Sequence, residues 1–190
     1  MSSRPVLQPL ERLCSLLRAD VRQRGLAHGL QPVQVEALCY LASCNRYSDT
    51  PQAVTEYLGS TKGTVSQTLK VLEREGLVLK SPDREDRRVV RLRLTARGRA
   101  LAGELSTPPL FVQALGDSQV DAELLDGELR ALLVAAQRAT GNRSFGVCHS
   151  CRFFRREGKR IFRCGLTEEP LSVADSERIC REHDAATQAG

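Results

Sequence analysis

Long apolar runs are missing from this 190-residue chain; the nearest candidate, Ala131–Ala136, falls far short of the ~18 residues that span a bilayer. No export leader is expected either. The segment Met1–Gly25 carries Glu11, Arg12 and Arg18 through its leucines, which excludes the unbroken apolar core of a signal peptide. The expected setting is the cytoplasm, with no membrane partner. Internal repeats and low-complexity tracts are absent, Trp is absent, and aromatic residues make up only 4%. Hydrophobic residues at 41% and charged residues at 27% exclude wholesale disorder. The length suffices for one full domain with a small appendage.

The net charge of +5 is unevenly placed. Residues 1–59 carry +1, residues 60–100 carry +6, residues 101–147 carry −3, and residues 148–190 carry +1. One 41-residue stretch thus holds the whole excess. Such a concentration is the footprint of a nucleic-acid-binding surface, the bland alternative being a solvated charged face.

Periodicity orders the elements. Leu10, Leu13, Cys14, Leu17 and Val21 mark an amphipathic helix over about 6–24. A second runs from Pro32 to about Asn45, with Val35, Leu38, Cys39 and Ala42 on one face. Thr50-Pro51 opens a third, which stops near Leu58-Gly59. A fourth begins at Ser60 or Thr61, carries Val65, Leu69 and Leu72 inward, and ends at Gly76, suited to a left-handed turn. The period then changes to two. Leu77 and Leu79, followed by Val90, Leu92 and Leu94, predict a β-hairpin with a charged tip over Ser81–Arg88. Thr95 caps a helix to about Leu105, which Pro108-Pro109 interrupts, and a last long helix spans about Ser118–Ala139. Thr140–Ser144 reads as a linker.

Helix, turn, helix and basic hairpin in that order make a winged helix-turn-helix. Opposite the apolar stripe of the fourth helix stand Thr61, Lys62, Ser66, Gln67 and Lys70. Lysine and hydroxyl groups contact phosphates, and the Gln67 amide can pair with adenine. The segment from Ala53 to Leu101 closely resembles the MarR family of transcriptional regulators. The likeness lies in the Leu-Gly-x5-Val recognition helix, Leu-Glu-Arg-Glu-Gly-Leu-Val, the wing Asp83-Arg84-Glu85-Asp86-Arg87-Arg88, and Leu94-Thr95-Ala96-Arg97-Gly98. It implies a homodimer knitted by its first and last helices, and two recognition helices on a pseudopalindromic double-stranded operator. It also implies repression relieved by a small molecule or oxidant. By that likeness Arg88 enters the minor groove from the wing tip, held by Asp86, with Arg84 and Arg87 beside it. An Asp two residues from an Arg on a hairpin can fix it by a bidentate pair.

The expected fold class is therefore mainly α with a small β-hairpin wing. A winged helix-turn-helix domain over 1–140 holds a DNA-binding lobe at about 33–100 and dimerisation helices at about 6–24 and 101–139. A Cys-rich module follows at 145–184.

That module has Cys148-x2-Cys151-x12-Cys164-x15-Cys180, with His183 after Cys180. Few aliphatic residues lie there, so a metal is expected to hold it together. Two ligand sets stay open. Cys148, Cys151, Cys180 and His183 make a two-plus-two zinc site; four thiolates make a zinc site or an iron–sulfur cluster. Base rate favours zinc, whereas the unpaired spacing of Cys164 and Cys180 leans to a cluster. Phe145, Phe153, Phe154 and Phe162 are candidates for its dry shell. The MarR resemblance does not reach this segment. Cys14, Cys39 and Cys44 read as buried small hydrophobes. Cys14 also stands where peroxide-sensing members of the family carry a reactive thiol, with Arg18 one turn on. The expected activity is gene regulation rather than catalysis. A thiol oxidoreductase built on Cys148-His149-Ser150-Cys151 would need a βαβ frame, and a zinc-bearing module that recruits another protein is the remaining alternative.

Overall fold

The computed structural model describes residues 4–141 and 143–185. Helices α1 (Arg4–Ala27), α2 (Pro32–Ser43), α3 (Pro51–Tyr57) and α4 (Lys62–Arg74) lead into the hairpin β1 (Val78–Pro82) and β2 (Val90–Leu94). Then follow α5 (Ala96–Ser106), α6 (Pro109–Asp117) and α7 (Ala122–Thr140). The C-terminal segment has a 3-10 turn at Cys148–Ser150, strands β3 (Phe154–Arg156), β4 (Phe162–Cys164) and β5 (Pro170–Leu171), and a short α8 (Val173–Ser176). The β3–β4–β5 sheet is antiparallel throughout, so no βαβ frame surrounds Cys148–Cys151.

Caps place the helices. The Thr50 hydroxyl accepts the Ala53 N–H, that of Thr61 accepts the Thr64 N–H, and that of Thr95 accepts the Gly98 N–H. Gly76 ends α4 with φ +66°, a conformation that costs glycine little. Val35, Leu38, Val54, Val65, Leu69, Leu72, Leu92 and Ala102 then pack into one core. On α4 this follows the expected stripe; on α2 Val35 and Leu38 are buried as expected, but Ala42 is exposed and Ala37, Tyr40 and Leu41 are buried in its stead.

Several expectations are corrected. The first helix passes Arg24 and includes Gly25, ending at Ala27. Pro109 opens a separate helix, α6, and the last helix starts later than expected, where the Asp121 carboxylate caps the Glu123 and Leu124 amides. Leu77 and Leu79 do not share a face: Leu77 and Val78 are buried, while Leu79 is 58% exposed. Leu77 still belongs to the α4 terminus, its N–H donating to Leu72 O, so the strand's two-residue phase begins at Val78.

The C-terminal segment is not a free appendage. Asn45 N–H donates to Ile179 O and Ile179 N–H to Ser43 O, each 2.9 Å, at the end of α2. Arg181 N–H donates to Ser48 Oγ at 2.8 Å, and its guanidinium grips Glu56 of α3 with two bonds of 2.6 and 2.8 Å. Phe145 joins Tyr40 and Tyr57 at the main core rather than the cysteines. A second small core holds Cys148, Phe162, Leu171 and Cys180, with Tyr47, Phe154 and Cys164 against it.

Candidate nucleic-acid interface and cysteine cluster

On α4 the burial splits cleanly. Val65, Thr68, Leu69 and Leu72 face the core, while Thr61, Lys62, Ser66, Gln67 and Lys70 are all exposed. The helix therefore offers one polar, cationic face with its N-terminal amides at one end. Lys80 of β1 bonds Glu73 Oε2 at 2.7 Å and ties the wing to this helix.

The wing tip is built from its carboxylates. The Asp83 carboxylate accepts the Glu85 and Asp86 amides at 2.9 and 3.0 Å, which shapes the turn. Arg91 donates to Asp83 Oδ2 at 2.7 Å, to Asp49 Oδ1 at 2.9 Å and to Arg46 O at 2.8 Å. The Asp86 amide first, then the Arg91 guanidinium and the Glu85 amide, pull the Asp83 carboxyl down to about 2. Burial pushes the Asp49 carboxyl up, against Arg91. Asp86 holds Arg88 by Nε–Oδ1 and Nη2–Oδ2 bonds of 2.9 Å each, while the Arg88 side chain is 90% exposed. Arg84 and Arg87 are exposed alongside. The expected Asp86–Arg88 fork is thus formed in the free chain, presenting a fixed guanidinium to solvent. The network of Arg91, Asp83 and Asp49 was not foreseen. A half-buried partner for Arg91, Asp49, lies 42 residues away in sequence, and spacing carries no sign of it.

Residues 28–89 match the MarR family model. The winged-helix lobe is MarR-like. No curated relative matches the chain. Among solved structures, a MarR transcriptional regulator from Methanosarcina mazei Go1 is similar at 19% identity and TM-score 0.57, over 73% of this chain and 98% of that one. The S. aureus MepR–DNA complex is similar at 23% identity and TM-score 0.54, covering 70% and 96%. CouR from Rhodococcus jostii RHA1, bound to p-coumaroyl-CoA, is similar at 18% identity and TM-score 0.54, covering 67% and 88%. At these identities the shared property is the MarR fold, and each alignment leaves more than a quarter of this chain unmatched.

The MarR-like lobe is joined to the cysteine segment at the loop after α2. Cys148, Cys151, Cys164 and Cys180 line one cavity of about 50 Å3, walled by Phe153, Phe154, Leu166 and Leu171. His183 lies outside it. Its ring nitrogens meet Ser144 Oγ at 2.7 Å and Ser150 Oγ at 3.0 Å, so the ligand set that used His183 and spared Cys164 is not assembled. Among the described residues, no three His, Cys, Asp or Glu side chains are arranged to hold a metal ion. Burial pushes the Cys148 thiol up to about 12, the neighbouring thiols of Cys180, Cys164 and Cys151 adding to it. Burial likewise raises Cys180, opposed by the Asn45 amide and the Glu182 N–H. Asn45 Nδ2 is fully buried, with the Cys180 thiol as the neighbour its N–H reaches.

The other thiols sit apart. Cys44 is buried, and its thiol is pushed up to about 12, mainly by burial. Cys39 is half-buried against the main core and raised for the same reason. Cys14 is half-buried on α1. A larger cleft of about 1040 Å3 opens beside Cys39, Tyr40, Tyr57, Arg130 and Phe145. On α1, α6 and α7, Leu7, Leu13, Leu110, Val112, Leu124, Leu132 and Leu133 are exposed.

Proposed function

We propose that the protein is a sequence-specific regulator of transcription that binds double-stranded DNA as a homodimer and acts as a repressor. The observation that carries this reading is the pre-formed Asp86–Arg88 fork on a wing beside the exposed polar face of α4. Thr61, Lys62, Ser66, Gln67 and Lys70 enter the major groove, and Arg88, flanked by Arg84 and Arg87, enters the adjacent minor groove. The DNA complex of MepR lends support from a similar fold. Dimerisation is supported by the apolar faces of α6 and α7, neither of which buries a residue within one chain. A second copy would cover them and set two recognition helices about one DNA turn apart. The cleft beside Tyr40 and Tyr57 is the seat we assign to a small-molecule effector. The reading is that of a cytoplasmic regulator without a catalytic group.

The test selects duplexes from a random-sequence pool and measures their affinity for wild type and Arg88→Ala at fixed salt. Loss of affinity is expected, with the slope of log K against log salt shallower by about two for a dimer that gives up one phosphate-proximal cation per subunit. Unchanged affinity and slope would refute the assigned wing. A monomer by sedimentation would refute the paired-helix geometry.

A further inference from the structure

We propose that Cys148, Cys151, Cys164 and Cys180 hold an iron–sulfur cluster of the four-iron type, and that loop 45–49 reports its presence to the wing. The first part stands on the cysteine cavity alone; the second rests on the DNA-binding reading above.

The ligand geometry separates one ion from a cluster. Four thiolates around a single zinc ion lie about 2.3 Å from it and hence roughly 3.8 Å from one another, a packing that leaves no interior space. Here all four cysteines border one cavity of about 50 Å3, several times the ~10–15 Å3 that a water needs. A four-iron cluster wants this wider arrangement, because each thiolate binds a different iron and the core fills the middle. Phe153, Phe154, Leu166 and Leu171 give the cavity an apolar lining, as such a core needs.

Donors also face the sulfurs. Asp184 N–H points at Cys151 Sγ at 3.4 Å. The buried Asn45 Nδ2 likewise faces Cys180. An N–H donor makes only a weak bond to a neutral thiol, and that bond strengthens when the sulfur becomes a metal-bound thiolate.

Asn45 begins the loop that supports the wing. Its Oδ1 accepts the Tyr47 N–H and the Ser48 hydroxyl. Four residues on, Asp49 O accepts the Leu92 N–H at 2.7 Å, and Arg46 O and the Asp49 carboxylate hold Arg91, which holds Asp83. A cluster that fixes Cys180 and Asn45 fixes this loop, and with it the height of Arg88 above the DNA.

The full-length protein is purified without oxygen and reconstituted with ferrous iron and sulfide, or separately with zinc. About four irons and four sulfides per chain with broad visible absorption are expected, lost in Cys164→Ser and kept in Cys39→Ser. One tightly bound zinc with no iron uptake, or no metal in either case, overturns the cluster. Asn45→Asp keeps the carbonyl acceptor and removes the amide donor; it is expected to keep the iron and lower the cluster's reduction potential. An unchanged potential overturns the role given to Asn45. Finally, the cluster-loaded and metal-free forms are compared on the selected duplex. Different affinities support the coupling, and equal affinities overturn it. Failure of both forms to bind DNA would sink the DNA-binding reading and the coupling with it, leaving the iron and sulfide result intact.

Discussion

Gly98 and Gly103 lie on the same helix, α5, and alanine at the two positions should move stability in opposite directions. A Cβ on Gly98 would stand inside contact distance of the Leu77 carbonyl oxygen, with Leu77 C at 3.0 Å and Cα at 3.3 Å. That carbonyl is fixed, because it also accepts the Thr95 N–H at 3.0 Å. Backbone cannot rotate away as a side chain can, so α5 must shift and carry the buried Ala102 and Leu105 with it. Overpacking of this kind costs ~1–3 kcal/mol, and a rigid neighbour puts the site at the upper end. Alanine's helix propensity returns at most ~1 kcal/mol, and less in a first turn. The net loss is about 2 kcal/mol, which lowers Tm by about 4–8 °C for a chain of this size. At Gly103 nothing lies within 4 Å of the added methyl. There the propensity term stands alone, and Tm should rise by about 1–4 °C. Thermal denaturation followed by circular dichroism, at one protein concentration because dimerisation adds to Tm, reads both. A Gly98→Ala protein as stable as Gly103→Ala would refute the close seat of α5 on the α4–β1 junction.

The wing should also respond to acid. The Asp83 carboxyl is held at about 2 against an ordinary 3.8. A lowered folded value means that its stabilising contribution is present above about pH 4 and is lost as pH falls toward about 2. Carboxyl NMR titration should place Asp83 there. In Arg91→Ala it should rise only part of the way to the ordinary value, since the Asp86 and Glu85 amides remain; no change would remove Arg91 from the account. Arg181→Ala deletes two bonds to Glu56, an interaction worth about 1–2 kcal/mol after allowing for its partial exposure. Hydrogen exchange at Ile179, whose N–H donates to Ser43 O, should accelerate while Leu38 in the main core is unaffected; equal acceleration at both would show that the segment and the lobe open as one unit.

The helix-turn-helix frame was legible because its determinants are local. Thr50 and Thr95 cap the helices they were expected to cap, Thr61 rather than Ser60 caps α4, and Val65, Leu69 and Leu72 face inward at helical spacing. The Asp86–Arg88 fork was legible for the same reason: two residues of separation on a turn leave the side chains little choice. Leu79 went the other way, because a strand's inward phase depends on where the preceding helix lets go, and Leu77 stays with α4. His183 matched a ligand spacing, yet Ser144 and Ser150 claim both of its ring nitrogens.

The sequence by itself determined the order of elements, the cationic face of α4, the arginines of the wing and the four cysteines spaced to act together. Those follow from short-range periodicity, capping and charge, which act within a few residues. Only the tertiary structure decided that Cys164 stands with the other three thiols around one cavity and that Phe145 belongs to the other core. It also decided that the cysteine segment leans on the loop holding Arg91 and the wing. Contacts such as Arg181–Glu56 and Asn45–Ile179 join residues more than a hundred positions apart. Their formation depends on how packed elements share space, and that is set by the folded chain as a whole.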